Sequence, residues 1–196
     1  MGAPAHLPGD DRVVANARLT AAVAVALLVL LAAEGATIPF IGGLLGPHIF
    51  IGMLLIPPVL AKLGSTGYRF ARYYSDSPAY VRRGPPHIAL RSLAPGVVLT
   101  TLALFGTGVA LLLQGPPDDT MRFAHKLAFI AWVALMSLHV LGHLLELPGL
   151  ASADWRRGGA GVRGARLRVA VLAAAILAGV ALALVTEPLA SGWLSG

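Results

Sequence analysis

Four histidines set the chemistry open to this chain. His125, His139 and His143 lie in one apolar run, residues 121–147 (MRFAHKLAFIAWVALMSLHVLGHLLEL), and His48 lies near the start of another. An imidazole is costly in hydrocarbon and is kept there for a ligand, a proton path or an interhelical hydrogen bond. A helix turns about 100° and rises about 1.5 Å per residue. Steps of 14 (125 to 139) and 18 (125 to 143) return near the starting face. The three rings therefore share a stripe, with His125 roughly 20 to 27 Å from the other two. His139 and His143, at i and i+4, have the spacing of a chelating pair.

Composition says what must position them. The chain has 196 residues, of which 57% are hydrophobic and 12% charged, and its mean hydropathy is +0.77. A soluble domain is roughly half apolar and about a quarter charged. The apolar excess is gathered into segments of bilayer length, about 20 residues each. The expected fold is all-α: an integral membrane helical bundle. With no cysteine, disulfides, Cys-held iron–sulfur clusters, thiolate-ligated haem and C-x-x-C-H haem attachment are excluded. The pI of about 10.5 reflects cations flanking spans rather than nucleic-acid binding, for which no motif accompanies them.

Taken in order, residues 1–18 read as a polar, loosely ordered tail with Arg12 and Arg18. Residues 19–40 read as a first span; a basic region before an apolar run also suits a signal peptide, but the run is long and no A-x-A-like site follows. Glu34, near its far end, reads as an interfacial carboxylate reaching headgroups, with a proton or quinone site as the alternative. Residues 41–47 (IGGLLGP) read as a tight turn. The second span, 44–63, contains Pro57 and Pro58, and Pro58 should kink it. Gly52 lies one turn below His48 on the same face.

Residues 64–92 form a polar connection with Arg69, Arg72, Arg82, Arg83 and Arg91 among Tyr68, Tyr73, Tyr74 and Tyr80, the mixture found at a membrane interface. The third span, 93–113, holds Gly106 and Gly108, which allow close approach of a helix or cofactor. Asp119 or Thr120 suits the N-cap of the histidine span, 121–147. An Arg- and Gly-rich loop leads to a fifth span, 167–186, where Ala175 and Gly179 make a small-xxx-small pair. Residues 188–196 read as a tail.

Five spans alternate sides. One side carries 13 of the 15 Lys and Arg residues; the other carries Arg122 and Lys126, so that 13 + 2 = 15. The positive-inside rule then predicts a cytoplasmic N-terminus and an extracytoplasmic C-terminus.

That topology gives each histidine a depth. The second and fourth spans both run outside to inside, so His48 and His125 sit near the outer surface at one level. Two imidazoles at equal depth on two helices can ligate one iron from both faces, the bis-histidine haem b arrangement. Arg122 and Lys126 flank His125 and could pair with haem propionates. His139 and His143 lie near the inner surface. They could serve a second haem, a quinone, a metal or a helix–helix hydrogen bond. A second haem lacks an evident partner, since the second span offers Lys62 at that depth, and His6 and His87 lie in polar segments.

His48 on the second span, with His125 and His139 spaced by fourteen on the fourth, resembles the membrane cytochrome b subunits of formate dehydrogenases and nickel–iron hydrogenases, and the wider cytochrome b561-like set. The likeness covers roughly residues 19–147. It implies a four-helix haem-binding core, haem iron held by His48 and His125, and His139 as one ligand of an inner haem whose first-helix partner is absent here. It also implies electron transfer between a quinone pool and an extracytoplasmic redox partner. The expected protein is thus a five-span b-type cytochrome in the plasma membrane, a non-catalytic subunit beside a separate oxidoreductase subunit. The rivals are a haem-free anchor or assembly subunit, and a small transporter relaying protons through Glu34 and the histidines; the absence of inverted repeats argues against the latter.

Overall fold

The computed structural model describes residues 10–84, 88–116, 119–143 and 164–194, together with 149 and 152. The described residues are helical apart from short turns. The elements are α1 (Asp10–Thr37), a 3-10 turn (Ile38–Phe40), α2 (Ile41–Tyr74), α3 (Pro78–Arg83), α4 (Ile88–Gln114), α5 (Asp119–His143), α6 (Ala165–Thr186), a second 3-10 turn (Glu187–Ala190) and α7 (Ser191–Leu194). Among the described residues four helical segments are long and apolar enough to cross a membrane: 10–74, 88–114, 119–143 and 165–194. They mark a multi-pass membrane protein. The fold class follows from the solvent, because in hydrocarbon each backbone amide must be satisfied within its own segment.

The first of these segments is 65 residues long and doubles back at residues 38–40. Its two arms pack antiparallel. At one end Asn16 Nδ2 donates to the Ser65 carbonyl (3.1 Å), Thr20 to Ser65 Oγ (2.9 Å) and Lys62 Nζ to the Thr20 carbonyl (3.1 Å). At the other end Thr37 Oγ1 meets His48 Nδ1 at 2.9 Å. Helix α2 is central, packed against α1 and α6 and touching α4. Leu55, Val23 and Pro58 are the largest fully buried side chains. Gly179 of α6 lies so close to α2 that an added Cβ would run into the Leu54 carbonyl. That is the close approach expected of the Ala175/Gly179 pair.

Helix α5 packs on α4, and their seam is also antiparallel. Thr107 meets His125 at one end, Trp132 Nε1 donates to Thr101 Oγ1 (3.0 Å) midway, and Gly96 and Gly142 receive Leu135 and Leu90 toward the other end. The bundle is therefore a group of three helices (α1, α2 and α6) and a pair (α4 and α5) that meet along α2 and α4.

Several boundaries differ from the sequence reading. Residues 10–18 are the first turns of α1 rather than a loose tail: Asp10 and Asp11 sit in its first turn, where acids favour a helix N-terminus. The reversal lies at 38–40, and residues 41–47 already belong to α2. The kink falls at Leu44 (φ −114°, ψ 20°), one turn before Pro47, whose ring crowds the preceding turn. Around Pro57–Pro58 the dihedral angles stay helical. Helix α2 also runs on to Tyr74, so the polar connection begins later than expected. After it, Ser77 caps α3, and Arg82 pairs with Asp10 at 2.9 Å. The expected tail began at 188, but residues 187–194 fold as a 3-10 turn and α7 over the end of the bundle that carries His48, where Trp193 Nε1 donates to the Leu111 carbonyl at 3.2 Å; residues 195–196 lie outside the described residues. His6, His87, residues 144–147 and Arg156, Arg157 and Arg163 lie outside the described residues.

Candidate functional site

The structure brings His48 and His125 together. Their ring centroids are 6.5 Å apart and the ring planes cross at 84°. A metal-to-imidazole nitrogen bond is about 2 Å and the ring centre lies about 1 Å beyond the nitrogen, so rings on opposite sides of one metal have centroids roughly 6 Å apart. The observed separation fits that span. The backbones of α2 and α5 do not pack directly on one another, so the rings meet across the seam between the three-helix group and the α4–α5 pair.

Each ring is held from its Nδ1 side by a threonine. Thr37 donates its hydroxyl hydrogen to the Glu34 carbonyl (2.6 Å), so toward His48 Nδ1 at 2.9 Å its oxygen accepts. Thr107 likewise donates to the Ala103 carbonyl (2.7 Å) and accepts from His125 Nδ1 at 3.0 Å. A hydroxyl has one hydrogen, and both are spent on their own helices. The network therefore assigns the Nδ1–H tautomer to both histidines and leaves a bare lone pair on each Nε2. That is the tautomer a metal-binding imidazole needs, with its orientation fixed from outside the coordination sphere.

Among the described residues no three His, Cys, Asp or Glu side chains converge as a metal site. A pair of imidazole nitrogens suits a group that brings its own in-plane ligands, as a porphyrin does. A cavity of about 340 Å³ runs along the α2–α4 seam, lined by Ile56, Val59, Thr101, Phe105, Gly106 and Val109 among others, and neither histidine of the pair lines it. Gly108 lies directly against His125, where a Cβ would sit 3.2 Å from Cε1.

Glu34 overturns its sequence reading. It does not reach headgroups: its side chain is 15% exposed and its Oε1 lies 3.0 Å from His48 Nδ1, while Oε2 is buried without a hydrogen-bond partner. Gly52 is not open toward a porphyrin, because a Cβ there would meet Glu34 Oε1 at 3.4 Å; it makes room for the carboxylate. Thr37, Thr107 and Glu34 are the residues beside the histidine pair that sequence reasoning missed or misread. A signal existed for Thr107, a hydroxyl in mid-span beside Gly108. For Thr37 and Glu34, the spacing to His48 crosses the reversal, whose position the sequence misplaced.

The remaining candidates stand apart from the pair. Arg122 is ion-paired with Asp119 at the exposed start of α5, and Lys126 is exposed. At the opposite end of the bundle the His139 and His143 rings are 4.9 Å apart. His139 Nδ1 is buried with no hydrogen-bond partner. Lys62, donating to the Thr20 carbonyl at 3.1 Å, lies within electrostatic range of His139. Comparison of the chain with family models, with curated proteins and with solved structures finds no match, so the functional reading stands on these side chains.

Proposed function

We propose that this protein is a membrane b-type cytochrome that holds haem b between His48 and His125 and passes electrons between a quinone pool and an extracytoplasmic redox partner. The observation that carries the reading is the pair itself: two imidazoles 6.5 Å apart, each anchored through Nδ1 and each offering Nε2. Haem bound there supplies a one-electron iron couple, whose potential the protein tunes through axial ligation, burial and nearby charge. The chain's own part is to present two nitrogens at a set separation and to hold their tautomers. Arg122, exchanging Asp119 for a propionate, and Lys126 are the cations at that end.

In this reading the doubled-back segment 10–74 crosses twice, giving five crossings with a four-helix haem-binding core. The charge count, 13 against two, puts the N-terminus in the cytoplasm and the C-terminus outside the plasma membrane. The opposite end is the quinone-exchange region. His139 Nδ1 and the Lys62 ammonium offer two donors to a quinone carbonyl, and Lys62 stands where a second iron would need its other imidazole. Substrate chemistry belongs to a separate extracytoplasmic oxidoreductase subunit, since the connections at the His48 end are short.

The test is the absorption spectrum and haem count of the purified full chain made with ample haem. Reduced b-type bands at one haem per chain are expected, lost in His48→Ala and His125→Ala and retained in His139→Ala. A colourless, folded wild type rejects the cytochrome and leaves the haem-free anchor, in which these histidines only join helices.

A further inference from the structure

Glu34 stands in the last turn of α1, and among the described residues it is the acid whose side chain meets one of the paired histidines. It is also the point where the two halves of the histidine pair differ. Both rings have a threonine that accepts from Nδ1–H and fixes the tautomer. Only His48 has a carboxylate there as well, with Oε1 at 3.0 Å. The threonine suffices for orientation, as it does at His125, so orientation does not explain the acid. Its burial is costly, because Oε2 has no hydrogen-bond partner and a bare buried carboxylate oxygen forfeits its hydration. A neutral imidazole offsets little of that cost. A positive charge on the far side of the imidazole offsets much more.

We propose that Glu34 sets a negative charge beside His48 that favours ferric over ferrous iron. The proposal rests on the haem reading above. The Nδ1–H of His48 is taken by Thr37 Oγ1, and Glu34 Oε1 stands 3.0 Å from the same nitrogen as a charge. Ferric iron carries one more positive charge than ferrous, so the nearby negative charge stabilises it preferentially. Among the described residues the groups that meet the carboxylate are His48 and Gly52 of α2. Neither of them is a cation that would cancel its charge.

The experiment is a redox titration of the purified, haem-loaded full chain, followed by absorbance. Glu34→Gln keeps the shape and a hydrogen-bond acceptor but removes the charge. At the poise that half-reduces the wild type, its ferrous-to-ferric ratio is expected to rise about tenfold, which is about 59 mV for a one-electron couple, with the haem count unchanged. Glu34→Asp draws the carboxylate back from Nδ1 and is expected to shift the ratio the same way by less; it decides the matter alone if Glu34→Gln does not fold. Thr107→Val, which alters the His125 side without touching charge, is expected to shift it less than Glu34→Gln. Wild-type midpoints in the haem-loaded Glu34 variants overturn this proposal and leave the haem reading intact. A wild type that takes up no haem removes the haem reading first.

Discussion

Gly108 offers a test of whether the contact against His125 is as tight as the structure draws it. An alanine Cβ at this position would lie 3.2 Å from Cε1 and 3.7 Å from Nδ1 of the ring. Carbon atoms rest comfortably at about 3.5–4.0 Å, so the ring must retreat by about 0.3 Å or more. It cannot retreat freely, because Nδ1 is held at 3.0 Å by Thr107, the preceding residue on the same helix. Overpacking of this kind costs about 1–3 kcal/mol. Replacing a helical glycine by alanine itself returns about 0.5–1 kcal/mol through backbone entropy. Gly64→Ala isolates that second contribution, since nothing lies within 4 Å of a Cβ there and the site is at the far end of the bundle. The two variants should therefore differ by about 1–3 kcal/mol, with Gly64→Ala slightly more stable than wild type and Gly108→Ala less so. In the haem reading proposed above the displaced ring is an axial ligand, and haem affinity in Gly108→Ala should then fall by roughly 5- to 150-fold relative to Gly64→Ala. Thermal unfolding of the haem-free protein in detergent and an absorbance titration with haem measure the two quantities. Equal stability and equal haem affinity in the two variants would show that the ring is not confined as described, and the tautomer argument would lose its anchor.

Gly179→Ala places a Cβ against the Leu54 carbonyl, a backbone group that cannot swing aside. It should lower stability by about 1–3 kcal/mol despite the better helix propensity of alanine, and an unchanged melting temperature would mean that α2 and α6 are not in close contact. Arg82→Ala removes the 2.9 Å pair with Asp10, whose side chains are 41% and 35% exposed. It should cost less than about 1 kcal/mol and leave the haem spectrum untouched; a large loss in thermal unfolding would show that α3 anchors α1 more firmly than one exposed ion pair can.

Much of this protein can be read without coordinates. Apolar segments of bilayer length dictate helices, because hydrocarbon offers backbone amides no other partner. Axial position along a helix is also countable, which is why His48 and His125 can be assigned one depth while His139 and His143 fall at the other end. What counting does not yield is azimuth. In water a helix announces its buried face by an amphipathic stripe; in lipid both faces are apolar, and packing is chosen by shape and small residues. Only the tertiary structure therefore decides that Glu34 turns inward onto His48 rather than outward to headgroups, that Gly52 accommodates that carboxylate, and that Thr37 and Thr107 each spend their single hydrogen at home and so fix an imidazole. It decides too that the chain reverses at 38–40 and that its last residues close over the His48 end, because both depend on which neighbours remain to be covered once α2 has taken the centre.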